Sequence, residues 1–143
     1  MARRQKLSRT LENFEAAGQK LKEALNPEFQ TRFQKDILIE VVTKRFEYTF
    51  ESMWKCLKEI LLEEGIQALS PLSCFQEAFH AGLIPKEHEA IFPTMVKKRN
   101  EIVHIYSDED AEEIFIMIKD SFAQAIFALL DSLKTRRSSA SSK

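Results

Sequence analysis

Glycine and proline are scarce in this chain. Its 143 residues contain 3 Gly and 4 Pro, about 5% together, where average usage gives roughly 12%. β-Sandwiches and β-barrels need a turn about every 8 to 12 residues, and turns draw heavily on these two residue types. The scarcity therefore predicts an all-α fold built from a few long helices. The length fits a single domain.

The spacing of apolar residues predicts about five helices, which would pack as an antiparallel, up-and-down bundle. They cover roughly residues 7–25, 36–64, 71–82, 92–106 and 108–135. Gly18 lies on the apolar face of the first helix and predicts the close approach of a second helix there. Gly65 is expected to end the second helix, and Ser70 is expected to cap the third.

The boundaries and charges of the chain predict one domain with a tail. The helical domain should cover residues 1–135, and a basic, serine-rich, disordered tail should cover 136–143. The first nine and the last ten residues each hold four basic and no acidic residues, whereas the body between them holds 13 basic and 22 acidic residues. A nucleic-acid-binding domain usually has one basic face. The acidic body does not fit that class, and the basic ends are interpreted as solvated tails.

The cysteines and the hydropathy pattern indicate the cellular setting. Cys56 and Cys74 lie 18 residues apart with no histidine in a ligand spacing, which favours buried, reduced thiols over a disulfide or a zinc site. No stretch approaches the roughly 18 apolar residues of a membrane span, and the first residues lack a signal-peptide pattern. We therefore expect a cytoplasmic protein without a membrane segment.

One ten-residue segment combines cations, an amide, an imidazole and a phenol at a helix end. Its polar members of interest are Lys97, Lys98, Arg99, Asn100, His104 and Tyr106. On an ideal helix Arg99 and His104 differ by about 140° of rotation and about 7.5 Å of rise, so one helix cannot aim both at one atom. Asn100 and His104, four residues apart, are expected to share a face. A two-fold dimer would bring two copies of this helix end together.

The pattern Arg99-Asn100-x3-His104-x-Tyr106 resembles the signature of the HEPN superfamily. Two further stretches resemble its HepT-like, nucleotidyltransferase substrate-binding branch. They are residues 45–51 with Trp54-Lys55, and Ser70-Pro71 followed by residues 77–79 and 81–84. The resemblance covers about residues 5–134. It implies a homodimeric helical domain that works with a minimal nucleotidyltransferase.

The resemblance also implies metal-independent RNA cleavage in a cleft between two copies of the chain. His104 would take the proton from the ribose 2′-hydroxyl, and Arg99 would hold the scissile phosphate. Asn100 would position either the imidazole or the bound phosphate, while Lys97 and Lys98 would attract the RNA backbone. No metal and no other cofactor is implied. Because the body of the chain is acidic, the resemblance predicts a narrow basic cleft on an otherwise negative surface.

Two further hypotheses stay open at this point. The resemblance implies that the partner nucleotidyltransferase transfers AMP to Tyr106 and so silences a toxin-like subunit, whereas a plainer interpretation has Tyr106 packing at the helix end. Alternatively, the whole chain is a non-catalytic substrate-binding subunit that docks on a nucleotidyltransferase, or it is a structural helical protein.

Overall fold

A computed structural model describes residues 2–105 and 107–141, and within them the chain forms helices and turns without any strand. The α-helices are α1 (Ala2–Ala24), α2 (Pro27–Gln30), α3 (Lys35–Glu63), α4 (Pro71–His80), α5 (Ile91–Glu101), α6 (Asp108–Met117) and α7 (Ala123–Ser141). The predicted all-α class is confirmed. No helix in these ranges is both long enough and apolar enough to cross a membrane.

Three helix boundaries lie at the residues that the sequence indicates, whereas α1 begins earlier than predicted, at Ala2, and α5 ends earlier, at Glu101. Ser70 caps α4, because its hydroxyl oxygen accepts a hydrogen bond from the backbone N–H of Ser73 at 3.2 Å. Gly65 and Gly82 follow α3 and α4 with φ of +82° and +81°, the left-handed conformation in which glycine ends a helix without strain. The short helix α2, which the apolar spacing does not predict, lies in the connection between α1 and α3.

The long helix α3 is the centre of the core and packs against α1 along its length. The hydroxyl oxygen of Thr49 lies 3.1 Å from the carbonyl oxygen of Ala17 on α1 and 2.7 Å from that of Arg45 on its own helix, so its single proton is shared between the two helices. Gly18 confirms the predicted close approach of a second helix, because a Cβ built there would lie only 3.2 Å from Cδ2 of Leu130 on α7. α1 thus packs against both α3 and α7.

The predicted fifth helix is a continuous rod with one irregular turn. α6 passes through a π-helical segment, Ile118–Phe122, directly into α7. The segment places Phe122 against α3, where its ring stacks on Phe46 with 5.7 Å between centroids. Because a π turn adds a residue to the repeat, it shifts the apolar face of α7 relative to that of α6.

The two basic ends of the chain bind the acidic body. Lys6 on α1 forms an ion pair at 3.2 Å with Glu59, a carboxylate whose side chain is only 6% exposed. α7 runs through Ser141, and its residue Arg136 pairs with Glu64 just after α3. A basic residue from each end of the chain thus forms an ion pair with a carboxylate of the acidic body.

The thiols follow the expectation from sequence. Cys56 and Cys74 are free and fully buried. Burial disfavours the thiolate and raises the pKa of Cys56 to about 12 and that of Cys74 to about 11. Both side chains are therefore unreactive core residues at neutral pH.

Candidate functional site

The predicted reactive segment lies where α5 tightens into a short 3₁₀ turn. α5 ends at Glu101, and Ile102–His104 form the 3₁₀ turn, after which the backbone becomes extended. A 3₁₀ helix turns about 120° per residue instead of about 100°, so Asn100 and His104 lie roughly 100° apart and not about 40°. The 3₁₀ turn therefore widens the angle between these two side chains beyond that of the regular helix from which the shared face was expected. Tyr106, the predicted AMP acceptor, lies outside the described residues.

A carboxylate on α3 holds Arg99. The guanidinium Nη2 donates to Oε2 of Glu51 at 2.9 Å, and the guanidinium also lies over the ring of Phe50, 5.5 Å from its centroid. The same oxygen of Glu51 accepts from the indole N–H of Trp54 at 3.1 Å, while its other oxygen lies 3.8 Å from the ammonium of Lys55. The Arg99 side chain, about one third exposed, thus has a fixed orientation and a charge that is partly offset.

His104 faces a different part of the molecule. It is exposed and lines a shallow depression of about 240 Å³ between the end of α5 and the start of α6. The charged residues around this depression are Lys98, Glu101, Asp110 and Glu113. The ammonium of Lys98 lies 3.3 Å from Glu101 and 3.6 Å from Glu113. Two carboxylates therefore offset the charge of Lys98.

Within one chain the structure does not bring the predicted residues to one point. Arg99 contacts α3, whereas His104 lines the depression beside α6, to which Arg99 does not contribute. Asn100 is exposed, and its side-chain oxygen lies 3.5 Å from Nη1 of Arg99. Lys97 is exposed and has no carboxylate within 4.0 Å among the described residues. The cations predicted to form a basic cleft are therefore largely paired in a single chain.

Sequence reasoning missed Glu51. It belongs to the segment 45–51 that carries the resemblance, but its partner on α5 is 48 residues away. The available signal was its position: a charged side chain that follows Phe50 and precedes Met53, which are both fully buried. A carboxylate at the edge of a buried stripe usually has a partner.

No group of three or more histidine, cysteine, aspartate or glutamate side chains within residues 2–105 and 107–141 is arranged to hold a metal ion. The end of α5 carries a guanidinium held by a carboxylate, an exposed imidazole and an exposed ammonium.

A family model described as nucleotidyltransferase substrate binding protein like matches residues 9–135 of the chain. The chain belongs to this family. The resemblance to the nucleotidyltransferase substrate-binding branch of the HEPN superfamily is thereby confirmed, over nearly the whole of the helical domain.

Two solved structures share the fold. A protein from Thermus thermophilus is 32% identical, with a TM-score of 0.75, and the match covers 84% of this chain and 98% of that one. A chain from the crystal structure of a mutant toxin–antitoxin MntA-HpeT is 16% identical, with a TM-score of 0.71, over 90% of this chain and 97% of that one. No curated protein sequence matches.

Proposed function

We propose that this chain is the RNA-cleaving, toxin-type subunit of a two-component module whose other component is a nucleotidyltransferase. The observation that carries the proposal is the anchored Arg99 at the end of α5, followed within five residues by the exposed His104. A guanidinium that is already oriented loses little side-chain entropy when it binds a phosphate. The family membership supports the nucleotidyltransferase as partner, and the shared fold with a toxin–antitoxin chain supports the module.

The proposed reaction is attack of a ribose 2′-oxygen on the adjacent phosphorus. His104 takes the proton of the 2′-hydroxyl while the new P–O bond forms, and the bond to the 5′-oxygen of the next nucleotide breaks. The 5′-oxygen leaves with a proton from solvent or from the second imidazole of the cleft. The products are a 2′,3′-cyclic phosphate and a 5′-hydroxyl. Arg99 stabilises the negative charge that develops on the phosphate oxygens.

This reaction needs two copies of the chain. In one chain Arg99 contacts α3 and His104 lies beside α6, which supports a cleft in which the phosphate meets these two side chains from different subunits. In a two-fold dimer that pairs the α5 ends, Arg99 of one subunit would meet His104 of the other. Asn100 and Lys97 are exposed and would contact the RNA backbone along this cleft, with Lys98 contributing once RNA displaces its carboxylate partners.

Silencing would act on Tyr106. The phenolic oxygen would bond to the α-phosphorus of ATP, pyrophosphate would leave, and the phenolic proton would go to solvent. The attached AMP would add a bulky anion two residues from His104 and would repel the RNA phosphate from the cleft. Intact-mass spectrometry after coexpression with the nucleotidyltransferase tests this step. An added AMP mass that Tyr106→Phe abolishes is the expected result, and an unchanged modification in that variant would contradict it.

The cleavage proposal is tested by incubating the purified chain with transfer and messenger RNA in excess EDTA. We expect cleavage that leaves 2′,3′-cyclic phosphate ends, lost in His104→Ala and retained in His80→Ala. His80 is a matched control because it is an exposed histidine on a different helix, α4. Intact RNA with the wild-type chain, or equal cleavage by His104→Ala, would contradict the proposal.

A second candidate function is a non-catalytic subunit that presents a substrate to the nucleotidyltransferase. The pairing of Lys98 and Arg99 with carboxylates favours it, because paired cations attract RNA weakly. The family description carries the same role. Under this alternative the chain would form a stable complex with the nucleotidyltransferase, and neither it nor His104→Ala would cleave RNA.

A further inference from the structure

A polar pocket opens between α1 and α3, immediately beside the Glu51–Arg99 pair. Its lining consists of Thr10, Asn13, Glu51, Ser52 and Lys55, and its volume is about 160 Å³. Every lining side chain is polar, and one of them is the carboxylate that holds Arg99. A ligand in this pocket would therefore lie next to the guanidinium assigned to the scissile phosphate.

The pocket offers both donors and acceptors that the fold does not use. Asn13 and Ser52 make no side-chain hydrogen bond to another described residue, whereas the hydroxyl of Thr10 already donates to the carbonyl of Leu7 at 2.8 Å. Oε2 of Glu51 accepts from Arg99 and Trp54, which leaves Oε1 with only the distant ammonium of Lys55 at 3.8 Å. One carboxylate oxygen is thus free to accept, and an amide and a hydroxyl can each donate or accept.

Size and chemistry together indicate the ligand class. A volume of about 150 Å³ holds one benzene molecule, so a single six-membered ring is enough to fill this pocket. Unstacked RNA bases are recognised by hydrogen bonds to their polar edges. A carboxylate oxygen accepts from the exocyclic amine of cytosine, whereas it would repel the O4 oxygen of uracil.

We propose that this pocket is a base subsite that holds one unstacked cytosine of the RNA, next to the phosphate bound by Arg99. The amine of the base donates to Oε1 of Glu51, and the amide of Asn13 and the hydroxyl of Ser52 bind its N3 and O2. The inference rests on the proposed function and adds a sequence preference to it. Glu51 then has two roles, since one oxygen holds Arg99 and the other contacts the base.

Binding measurements test the subsite separately from cleavage. The full chain carrying His104→Ala is titrated with two fluorescent pentanucleotides, one of uridine only and one with a central cytidine. We expect the cytidine probe to bind about 10-fold more tightly, in line with one good base contact. Adding Asn13→Ala should reduce this ratio to about 2-fold or less. Alanine favours the helix at this exposed position of α1, so the variant retains its fold.

Gln19→Ala is the matched control, because Gln19 is an exposed amide on α1 outside the pocket. It should keep the 10-fold ratio. Equal binding of both probes by the parent chain, loss of preference in the control, or a shift of the monomer–dimer equilibrium by Asn13→Ala would overturn the subsite. If the wild-type chain does not cleave RNA but the chain prefers the cytidine probe, the proposed cleavage fails and the base subsite stands. If the wild-type chain cleaves RNA without any base preference, the subsite fails and the cleavage stands.

Discussion

The contact between Glu51 and Arg99 predicts a specific response to removing the carboxylate. Glu51→Ala takes away the oxygen that holds the guanidinium at 2.9 Å, and the arginine regains up to about 2 kcal/mol of rotamer freedom that the reaction must then remove. The freed charge also attracts the RNA phosphate more strongly, by about 1 kcal/mol at 4 Å in water. The loss of orientation is the larger effect, so we expect kcat/KM for RNA cleavage to fall about 5-fold at low salt.

Salt separates the two effects. At about 0.3 M salt the Debye length is about 5.5 Å, so roughly half of the attraction at 4 Å is screened and the fall should grow to about 13-fold. Glu51→Gln keeps an oxygen that accepts from Arg99, and we expect its kcat/KM to stay within about 3-fold of the wild type. Glu40→Ala removes an exposed glutamate from the same helix, α3, and serves as the matched control.

The assay is the initial rate of cleavage, at low and high salt for all four proteins, of a fluorescent RNA that contains only uridine, so that the proposed contact of Glu51 with cytosine does not contribute. A parallel double-mutant cycle of Glu51→Ala with Arg99→Ala, followed by urea unfolding, should give a coupling of about 0.5–1 kcal/mol, the range for a pair that is about one third exposed. An increase in kcat/KM for Glu51→Ala at both salt concentrations would refute the reasoning, since Glu51 would then only neutralise Arg99. Zero coupling in the cycle would also refute it.

Two predictions concern the scaffold. Gly18→Ala gains about 1 kcal/mol of helix propensity, but the new methyl group lies only 3.2 Å from Leu130, so we expect the free energy of unfolding to change by less than about 1 kcal/mol. In a Leu130→Ala background the crowding is absent, and the same substitution should stabilise the fold by about 1 kcal/mol. Destabilisation in that background would contradict the packing argument. The thiol of Cys56 has a pKa raised by burial to about 12, above about 8.5 in the unfolded chain. The contribution of this pKa difference to the free energy of unfolding is therefore complete below about pH 8.5 and is lost as the pH rises toward the pKa of the folded state. We expect the free energy of unfolding, measured with urea, to fall by about 2 kcal/mol between about pH 8.5 and 10, and to fall less in Cys56→Ala. Parallel dependence on pH in the wild type and the variant would contradict this expectation.

The sequence predicts the helices well because their signals are local. The scarcity of glycine and proline, the cap at Ser70 and the glycines after α3 and α4 all act within a few residues of their effect. The close approach at Gly18 is predictable as well, since a missing side chain on an apolar face leaves room for a second helix to pack closely.

The features that the sequence does not predict depend on contacts between distant segments or on small changes of helical repeat. The π segment at Ile118–Phe122 and the 3₁₀ turn at Ile102–His104 look like ordinary helix in an apolar pattern. The pairing of Glu51 with Arg99 joins residues 48 positions apart, and the pairing of the basic ends with the acidic body requires the fold to be known. The motif at the end of α5 is visible in the sequence because its residue types are unusual together, and the spacing of Arg99 and His104 already predicts that they point in different directions. The carboxylates that pair with Arg99 and Lys98 appear only in the structure.

The most direct test of the shared cleft is complementation between two inactive variants. Arg99→Ala and His104→Ala are each purified, shown to be inactive on RNA, then mixed, unfolded and refolded together. If each active site takes Arg99 from one subunit and His104 from the other, half of the dimers are mixed and each of these has one intact site. We expect the mixture to recover about a quarter of the wild-type rate. No recovery, from a mixture in which mixed dimers are detected, would contradict the shared cleft.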